Sequence, residues 1–282
     1  MTFAQYAALK NKLIYPELYD TLKTGNQTMA VWDLGTSDSP SIQVNRLNDY
    51  GTVSEVDCTT SISATDIGIS AANFEFQTFQ ETLPLCYDVK TGANAGGSAE
   101  QALLMAGMRA ASEKFEDLII DGSASGKFKG LDQLVEISFA KAGASLALGD
   151  LSKAIRLNKG VGPKAFVTDG ATYDKIEGVL QSNSTLGYQD LFGGAFNTIS
   201  YRNIPVLVND AVTAGEIYLA TLGGADGVSV VLNESSDRKI GGIFGVQQIG
   251  PQLTSINEYV RFIWRATQVL GNPQALVKIT GA

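Results

Sequence analysis

The chain has 282 residues, of which 44% are hydrophobic and 18% charged, and its formal net charge is -8 with a pI of about 4.7. This length allows a sizeable core and about two domains, while the acidic balance argues against binding nucleic acid through clustered Lys and Arg. The absence of histidine leaves Ser and Cys nucleophiles without their usual base, and no apolar run is long enough to predict a membrane span.

The first part of the sequence predicts a helical arm. Thr2 and Gln5 have the spacing of a capping box, in which two side chains satisfy the free N–H groups of a helix start. Pro16 suits the first turn of another short helix, which ends near Gly25. Residues 1–27 therefore form the predicted arm.

Residues 28–90 are predicted to be rich in β-strands, because apolar and polar residues alternate along them. The alternating apolar pairs are Ile42 with Val44, Ile67 with Ile69, and Phe74 with Phe76. Between them, residues 47–65 are dominated by Asn, Asp, Ser, Thr and Gly, which favour turns and offer little apolar surface for a core. We predict that this stretch, the hairpin tip, is the end of a long projecting β-hairpin.

The same segment is strongly acidic. Residues 28–90 contain nine carboxylates and, as cations, only Arg46 and Lys90. Such an asymmetry is typical of a solvated hairpin surface, or of a surface that docks on a basic surface of another subunit. For the second interpretation, the candidate inter-subunit contacts in the hairpin tip are Asp49, Glu55 and Asp57.

Residues 91–130 contain the longest helix signal. Ser98 and Gln101 have capping-box spacing, which predicts a helix start at Ala99, and Asp121-Gly122 supplies a residue suited to a left-handed C-terminal cap. The predicted helix is roughly 33 Å long at about 1.5 Å per residue. One apolar stripe recurs at helical spacing along it, formed by Leu104, Met108, Ala111, Phe115 and Leu118.

Residues 131–245 predict a compact lobe in which helices and strands alternate. A strand in VEISFA precedes a short helix opened by Asp150, and Asp169 is a possible cap for a helix whose apolar face contains Tyr173, Ile176 and Leu180. The further predicted strands are residues 165–168, 204–208, 217–221 and 228–232.

Residues 246–282 predict long returning strands, including LVKI. Val260, Phe262 and Trp264 alternate with Arg261, Ile263 and Arg265, so the two sets face opposite sides of one strand. Aromatic residues interleaved with arginines also occur in surfaces that bind single-stranded nucleic acid, but there the two types share a face. We therefore predict a core-facing aromatic row, with Arg261 and Arg265 as candidates for a basic inter-subunit surface.

No catalytic, cofactor-binding or metal-binding residue is predicted. The glycine-rich stretch before Ser98 lacks the lysine of a phosphate-binding loop. The group of Glu116, Asp117 and Asp121 is interpreted as solvated carboxylates at a helix end, although such a group is also able to bind a hard cation. Cys58 and Cys86 lack C-x-x-C spacing and are interpreted as free thiols.

Several of these motifs together resemble the major capsid proteins of tailed bacteriophages, which have the Hong Kong 97-type fold. The resemblance rests on FEDLIIDG followed by GKFKGL, AFVTDGATYDKIEGVL from Ala165, YRNIPVLVND from Tyr201 and the closing strand-rich segment, in this order. It implies an α+β fold with an N-terminal arm (1–27), an extended loop with peripheral-domain strands (28–90) and a spine helix (91–130). An axial domain (131–245) and returning peripheral strands (246–282) complete it.

The resemblance also implies a function. Many copies would assemble, as hexamers and pentamers, into an icosahedral shell around the double-stranded DNA of a phage, without sequence-specific binding. Assembly would occur in the host bacterial cytoplasm, with scaffolding, portal and decoration proteins as possible partners, and no enzymatic activity or cofactor is expected. Two alternatives remain open, namely an encapsulin shell that packages a cargo enzyme, and a cytosolic α+β enzyme or binding module.

Overall fold

The structure is a computed structural model that describes residues 27–47, 69–85, 96–141, 145–191, 196–233, 244–249 and 258–282. The helices in these residues are α1 (Gln27–Val31), α2 (Gly96–Asp121), α3 (Leu131–Leu134), α4 (Leu148–Leu157), α5 (Gly170–Ser182) and a 3-10 turn at Pro273–Ala275. The predicted helices of residues 1–26 lie outside the described residues.

The strands fall into a first part and a second part of the chain. The first seven are β1 (Leu34–Ser37), β2 (Ser41–Leu47), β3 (Ile69–Glu75), β4 (Gln77–Leu85), β5 (Ile137–Ala140), β6 (Lys164–Thr168) and β7 (Gly187–Leu191). The others are β8 (Phe196–Tyr201), β9 (Ile204–Val208), β10 (Glu216–Thr221), β11 (Val228–Asn233), β12 (Phe244–Ile249), β13 (Glu258–Leu270) and β14 (Leu276–Thr280).

These strands form two large sheets and a hairpin. In the first sheet the order is β1-β11-β13-β12, and β4 also pairs with β13. The second sheet has seven strands in the order β5-β14-β10-β6-β9-β8-β7. β2 and β3 pair with each other as a separate antiparallel hairpin. The first apolar cluster joins helix α2 to buried residues of the first sheet and of one side of the second sheet, and the second apolar cluster lies between the second sheet and helices α4 and α5.

Two strands join a different sheet from the other strands of their predicted segment. β11 belongs to residues 131–245 by sequence, yet it pairs with β13 in the first sheet. β14 belongs to residues 246–282, yet it pairs with β10 and β5 in the second sheet. Long-range pairing decides which sheet a strand joins, and alternation within a strand carries no information about its partner. The predicted division into segments therefore does not coincide with the two sheets.

Helix α2 has the predicted end and an earlier start than predicted. It contains 26 residues and begins at Gly96, not at Ala99, so its length is about 39 Å at 1.5 Å per residue. The first N–H groups of a helix have no intrahelical partner, and glycine is tolerated better there than in a helix interior. At the other end Gly122 has φ 78°, and its N–H donates to the Leu118 carbonyl at 2.9 Å. This is the predicted left-handed cap.

The apolar stripe of α2 is confirmed where its side chains are described. Ala111, Phe115 and Leu118 are buried, and Ile119 and Ile120 beside them are buried as well. The other two residues of the stripe are Leu104 and Met108, whose side chains are not among those that the structure describes. The apolar face of α2 is thus wider near its end than the predicted stripe.

The hairpin is confirmed at its base. β2 and β3 pair in register from Ser41 opposite Glu75 to Leu47 opposite Ile69. Phe74 and Phe76 are buried, as the alternation predicts for one apolar side. Residues 48–68, with Ile67 and nearly all of the hairpin tip, lie outside the described residues.

Helix α1 was not predicted, because its sequence lies at the start of the segment expected to be strand-rich. A helix of five residues is too short to be stable alone, so tertiary contacts must hold it. Thr28, Met29 and Ala30 are buried, and the Gln27 side-chain carbonyl accepts a hydrogen bond from the Val208 N–H at 3.1 Å. These partners are distant in sequence, which explains the wrong prediction.

The predicted elements of the second sheet and its helices are largely confirmed. Asp169 caps α5, and its carboxylate accepts from the Thr172 N–H at 3.2 Å. The helix predicted to open at Asp150 begins at Leu148 instead, and the Asp150 carboxylate accepts from the Ala147 N–H at 3.1 Å. β7 and β8 were not predicted, since their sequences mix polar and apolar residues without a clear alternation.

Lys278 of β14 joins helix α3 to the second sheet. Its ammonium group is 2.6 Å from Asp132 Oδ1 and 2.8 Å from Glu216 Oε1. Burial favours the neutral amine, but these hydrogen bonds outweigh it and raise the pKa of Lys278 above its usual value. The hydrogen bond from Lys278 in turn lowers the pKa of Asp132. The segment after α2 is therefore tied to the second sheet by charge as well as by packing.

Candidate functional site

Strand β13 presents two chemically different faces. Trp264 lies on the side of helix α2, where its ring stacks on Phe79 at 5.7 Å and lies 6.3 Å from the ring of Phe115. Arg261 and Arg265 alternate with it and therefore belong to the opposite side of the first sheet. This opposition was predicted and is confirmed for Trp264, whereas the side chain of Phe262 lies outside the described ones.

The side of the first sheet that carries Arg261, Ile263 and Arg265 is here called the arginine face. Arg261 is paired with Thr82 and Arg265 with Thr78 on β4, and both threonines are exposed. The register of the neighbouring strands places further residues on this face. Apart from the two arginines, all of those that the structure describes are uncharged. The arginine face is thus a positively charged surface on a chain whose net charge is -8.

The two arginine side chains are partly exposed. Their Nε atoms and the Thr267 hydroxyl are buried, and they have no hydrogen-bond partner in the part of the chain that the structure describes. A buried donor without an acceptor costs roughly 1 to 3 kcal/mol, and more if it is charged. All three residues lie on the arginine face of β13, where Thr267 is fully buried and the two arginine side chains are partly exposed.

The alternation of β13 predicted the face on which the arginines lie, whereas Thr267, which continues the same alternation by one more step, was not predicted. The extended alternation of β13 is the signal that could have found it. The other predicted contacts, Asp49, Glu55 and Asp57, lie in residues 48–68, outside the described residues. The structure therefore brings Arg261 and Arg265 together with Thr267 and leaves their acidic partners as a prediction.

The carboxylates of helix α2 do not gather into one cluster. Asp117 lies 3.5 Å from Lys114, whereas Glu116 is half-buried against the turn that follows β9. In the residues that the structure describes, no three carboxylate or thiol side chains lie close enough together to hold a metal ion. Cys58 and Cys86 lie outside these residues.

Among the helices that the structure describes, not one combines the length and the apolar character that a membrane crossing requires.

No protein-family model matches this sequence, and no curated protein sequence matches it. Solved structures match over nearly the whole chain. A holo-SrpI encapsulin complex from Synechococcus elongatus PCC 7942 has a chain with TM-score 0.70 and 15% identity, covering 89% of this chain and 85% of that one. The capsid of an empty GTA particle matches with TM-score 0.67 and 12% identity, covering 92% and 90%.

A structure from Mycobacterium phage Bobi matches with TM-score 0.62 and 10% identity, covering 90% of each chain. At such low identities the likeness establishes the fold alone. The chain therefore has the α+β, Hong Kong 97-like capsid fold, which confirms both the predicted fold class and the resemblance.

Proposed function

We propose that this chain is a structural shell protein, without enzymatic activity, that self-assembles through rings of six and five copies into a closed icosahedral particle. The observation that carries the proposal is the fold, because the matched structures include phage, GTA and encapsulin particles and are covered over almost their whole length. Within this proposal the chain has an arm (1–27), an extended loop (28–90), a spine helix (91–130), an axial domain (131–245) and returning strands (246–282), except that β11 pairs with the returning strand β13 and β14 pairs with the axial strands β10 and β5.

The particular shell we propose is the head of a tailed phage, which encloses double-stranded DNA and assembles in the host bacterial cytoplasm. The net charge of -8 supports it, since an acidic wall repels the DNA polyanion and keeps it from adhering during filling. The acidic hairpin also favours a phage shell. Scaffolding, portal and decoration proteins are the expected partners of such a head.

An encapsulin-type compartment is the second candidate, and the match at TM-score 0.70 to an encapsulin favours it. The contents of particles purified from the natural host distinguish the two. Nuclease-resistant double-stranded DNA inside the particles supports a phage head, and one co-purifying cargo enzyme in place of DNA supports an encapsulin.

We propose that the hairpin tip of one subunit docks on the arginine face of its neighbour. The tip is acidic and contains no Lys or Arg, while the arginine face is positively charged and its two arginine side chains are partly exposed. Carboxylates at Asp49, Glu55 and Asp57 are the acceptors that guanidinium groups prefer. Partly buried charge pairs of this kind contribute to specificity as well as to affinity.

The variant that replaces both Arg261 and Arg265 with glutamate reverses the charge of the arginine face. It is expected to raise the protein concentration needed for assembly at least about tenfold, because like charges then face each other. Sedimentation velocity at several concentrations measures this change. A variant with Asp49, Glu55 and Asp57 replaced by lysine should show a similar defect, which is strongest at low salt where charges act over roughly 30 Å.

The matched control combines both sets of reversals, which restores opposite charges and should recover assembly. Circular dichroism of each variant checks that the subunit stays folded. Normal assembly of the variant with both arginines replaced by glutamate would contradict the proposed docking. So would a combined variant that assembles no more readily than either of the two single sets of reversals.

A further inference from the structure

Helix α5 borders a surface groove with a volume of about 410 Å³, which is within the range of clefts that hold small ligands. Gly178 and Val179 of α5 line this α5 groove together with Leu146, which precedes α4. Lys141 and Lys175 line it as well, and none of its described lining residues is acidic. The α5 groove therefore combines apolar lining residues with positive charge.

Gly178 keeps part of the α5 groove open. It lies inside helix α5, where glycine is less favourable than alanine because it loses more backbone entropy on folding. A Cβ atom at this position would have no atom of a neighbouring segment within 4 Å, so no described neighbour requires glycine here. A group that enters the groove from outside the subunit would require this space.

The edge strand β7 carries exposed groups of the complementary kind. Tyr188 is 65% exposed, and among the large hydrophobic side chains that the structure describes only Val161 is more exposed. Asp190 follows Tyr188 by two residues, is exposed as well, and lies on the same side of the strand. Tyr188 and Asp190 are here called the β7 patch. It offers an aromatic ring for the apolar lining of the α5 groove and a carboxylate for its lysines.

The β7 patch and the α5 groove lie toward opposite edges of the second sheet. β7 is the last strand at one edge, and β5 is the last strand at the other. Lys141 directly follows β5, and Ala282, which also lines the groove, follows β14, the neighbour of β5. Two copies placed side by side therefore bring the patch of one near the groove of the next. An interface of this head-to-tail kind forms a ring when its rotation closes.

The lysines of the α5 groove suit an incoming carboxylate. The ammonium group of Lys175 donates to the Ala282 main-chain oxygen at 2.9 Å, which holds the ammonium group in place. An ammonium group has three N–H donors, so two remain beyond this bond. Hydrogen bonds between charged groups are shorter and stronger than those between neutral groups. Asp190 of another copy is therefore a suitable partner for Lys175 and for Lys141.

We propose that the β7 patch of one subunit docks in the α5 groove of the next subunit around the ring. The ring of Tyr188 enters the space beside Gly178 and packs on Leu146 and Val179, while Asp190 faces the two lysines. Tyrosine is among the residues that contribute most to binding when it fills a pocket at the centre of an interface. This contact rests on the proposed shell function, and it supplies the head-to-tail interface that such rings require.

Replacing Gly178 with leucine tests the docking without weakening the subunit. Leucine has the higher helix propensity and would extend into open space, so thermal unfolding should occur at the wild-type temperature or above it. Because the new side chain fills the α5 groove, the protein concentration needed for assembly is expected to rise at least about tenfold in sedimentation velocity. Gly149→Leu is the matched control. Gly149 is another helical glycine with open space at its Cβ, lies outside the groove, and should assemble like wild type when replaced.

The variant Tyr188→Ala removes the other side of the same contact and should raise the assembly concentration to a similar extent. Combining it with Gly178→Leu should add little, because both changes remove one contact and their effects are then not additive. Assembly of Gly178→Leu at the wild-type concentration, an equal defect in Gly149→Leu, or fully additive effects would each overturn the docking and leave the shell function standing. A wild-type chain that forms no closed particles would instead overturn the shell function itself.

Discussion

Replacing Phe115 by alanine is expected to lower the free energy of unfolding of the subunit by about 3 to 5 kcal/mol, the usual cost of truncating a buried phenylalanine. The ring is fully buried within the first apolar cluster. It lies 6.4 Å from the ring of Phe79, 6.3 Å from that of Trp264 and 6.5 Å from that of Phe128. Rings from two strands, from the loop after α2 and from α2 itself converge here, so the cavity would refill only partly.

Denaturant unfolding of the unassembled subunit measures this change, and the soluble yield should fall with it. Arg109→Ala is the matched control, because Arg109 lies on the same helix with an exposed side chain. The control is expected to change the free energy of unfolding by no more than about 0.5 kcal/mol. If Phe115→Ala unfolds at the wild-type denaturant concentration, the assignment of the buried face of α2 is wrong.

Replacing residues 48–68 by an Asn-Gly turn is expected to abolish assembly while leaving the subunit folded. Leu47 and Ile69 are paired at the end of the hairpin, so a two-residue turn is able to close the strands in their present register. The deleted residues are rich in turn formers and contribute little apolar surface, whereas the proposed docking on the arginine face depends on their carboxylates.

Circular dichroism and thermal unfolding measure folding in this variant, and sedimentation velocity measures assembly. A variant that keeps the loop length but replaces Asp49, Glu55 and Asp57 with their amides serves as control, and it separates the loss of charge from the loss of the loop. Particles of normal size and yield from the shortened chain would refute the inter-subunit role of the hairpin.

Features of the fold with a local physical cause were predictable from the sequence. Gly122 ends helix α2 because only glycine adopts its positive φ without strain, and Asp169 caps α5 through its own side chain. The alternation of β2 and β3 predicts the base of the hairpin, since one side of it packs on the core. In each case the signal lies within a few residues of the structure it determines.

Features that depend on distant partners were not predictable. Helix α1 exists because Gln27 and Thr28 bind the chain near Asn209, and the exchange of β11 and β14 between the sheets is decided by pairing. The same distinction holds for the candidate site. Alternation along β13 predicted the side on which Arg261 and Arg265 lie, but the burial of their Nε atoms arises only when remote segments meet.

The measurement that tests the proposed shell function most directly is electron microscopy of the purified 282-residue chain. We predict closed, hollow particles of uniform diameter with icosahedral symmetry, in which the subunits form rings of six and five. Discrete monomers or small oligomers that carry a bound ligand, seen across the concentrations at which shells should form, would contradict it and favour a cytosolic enzyme or binding module.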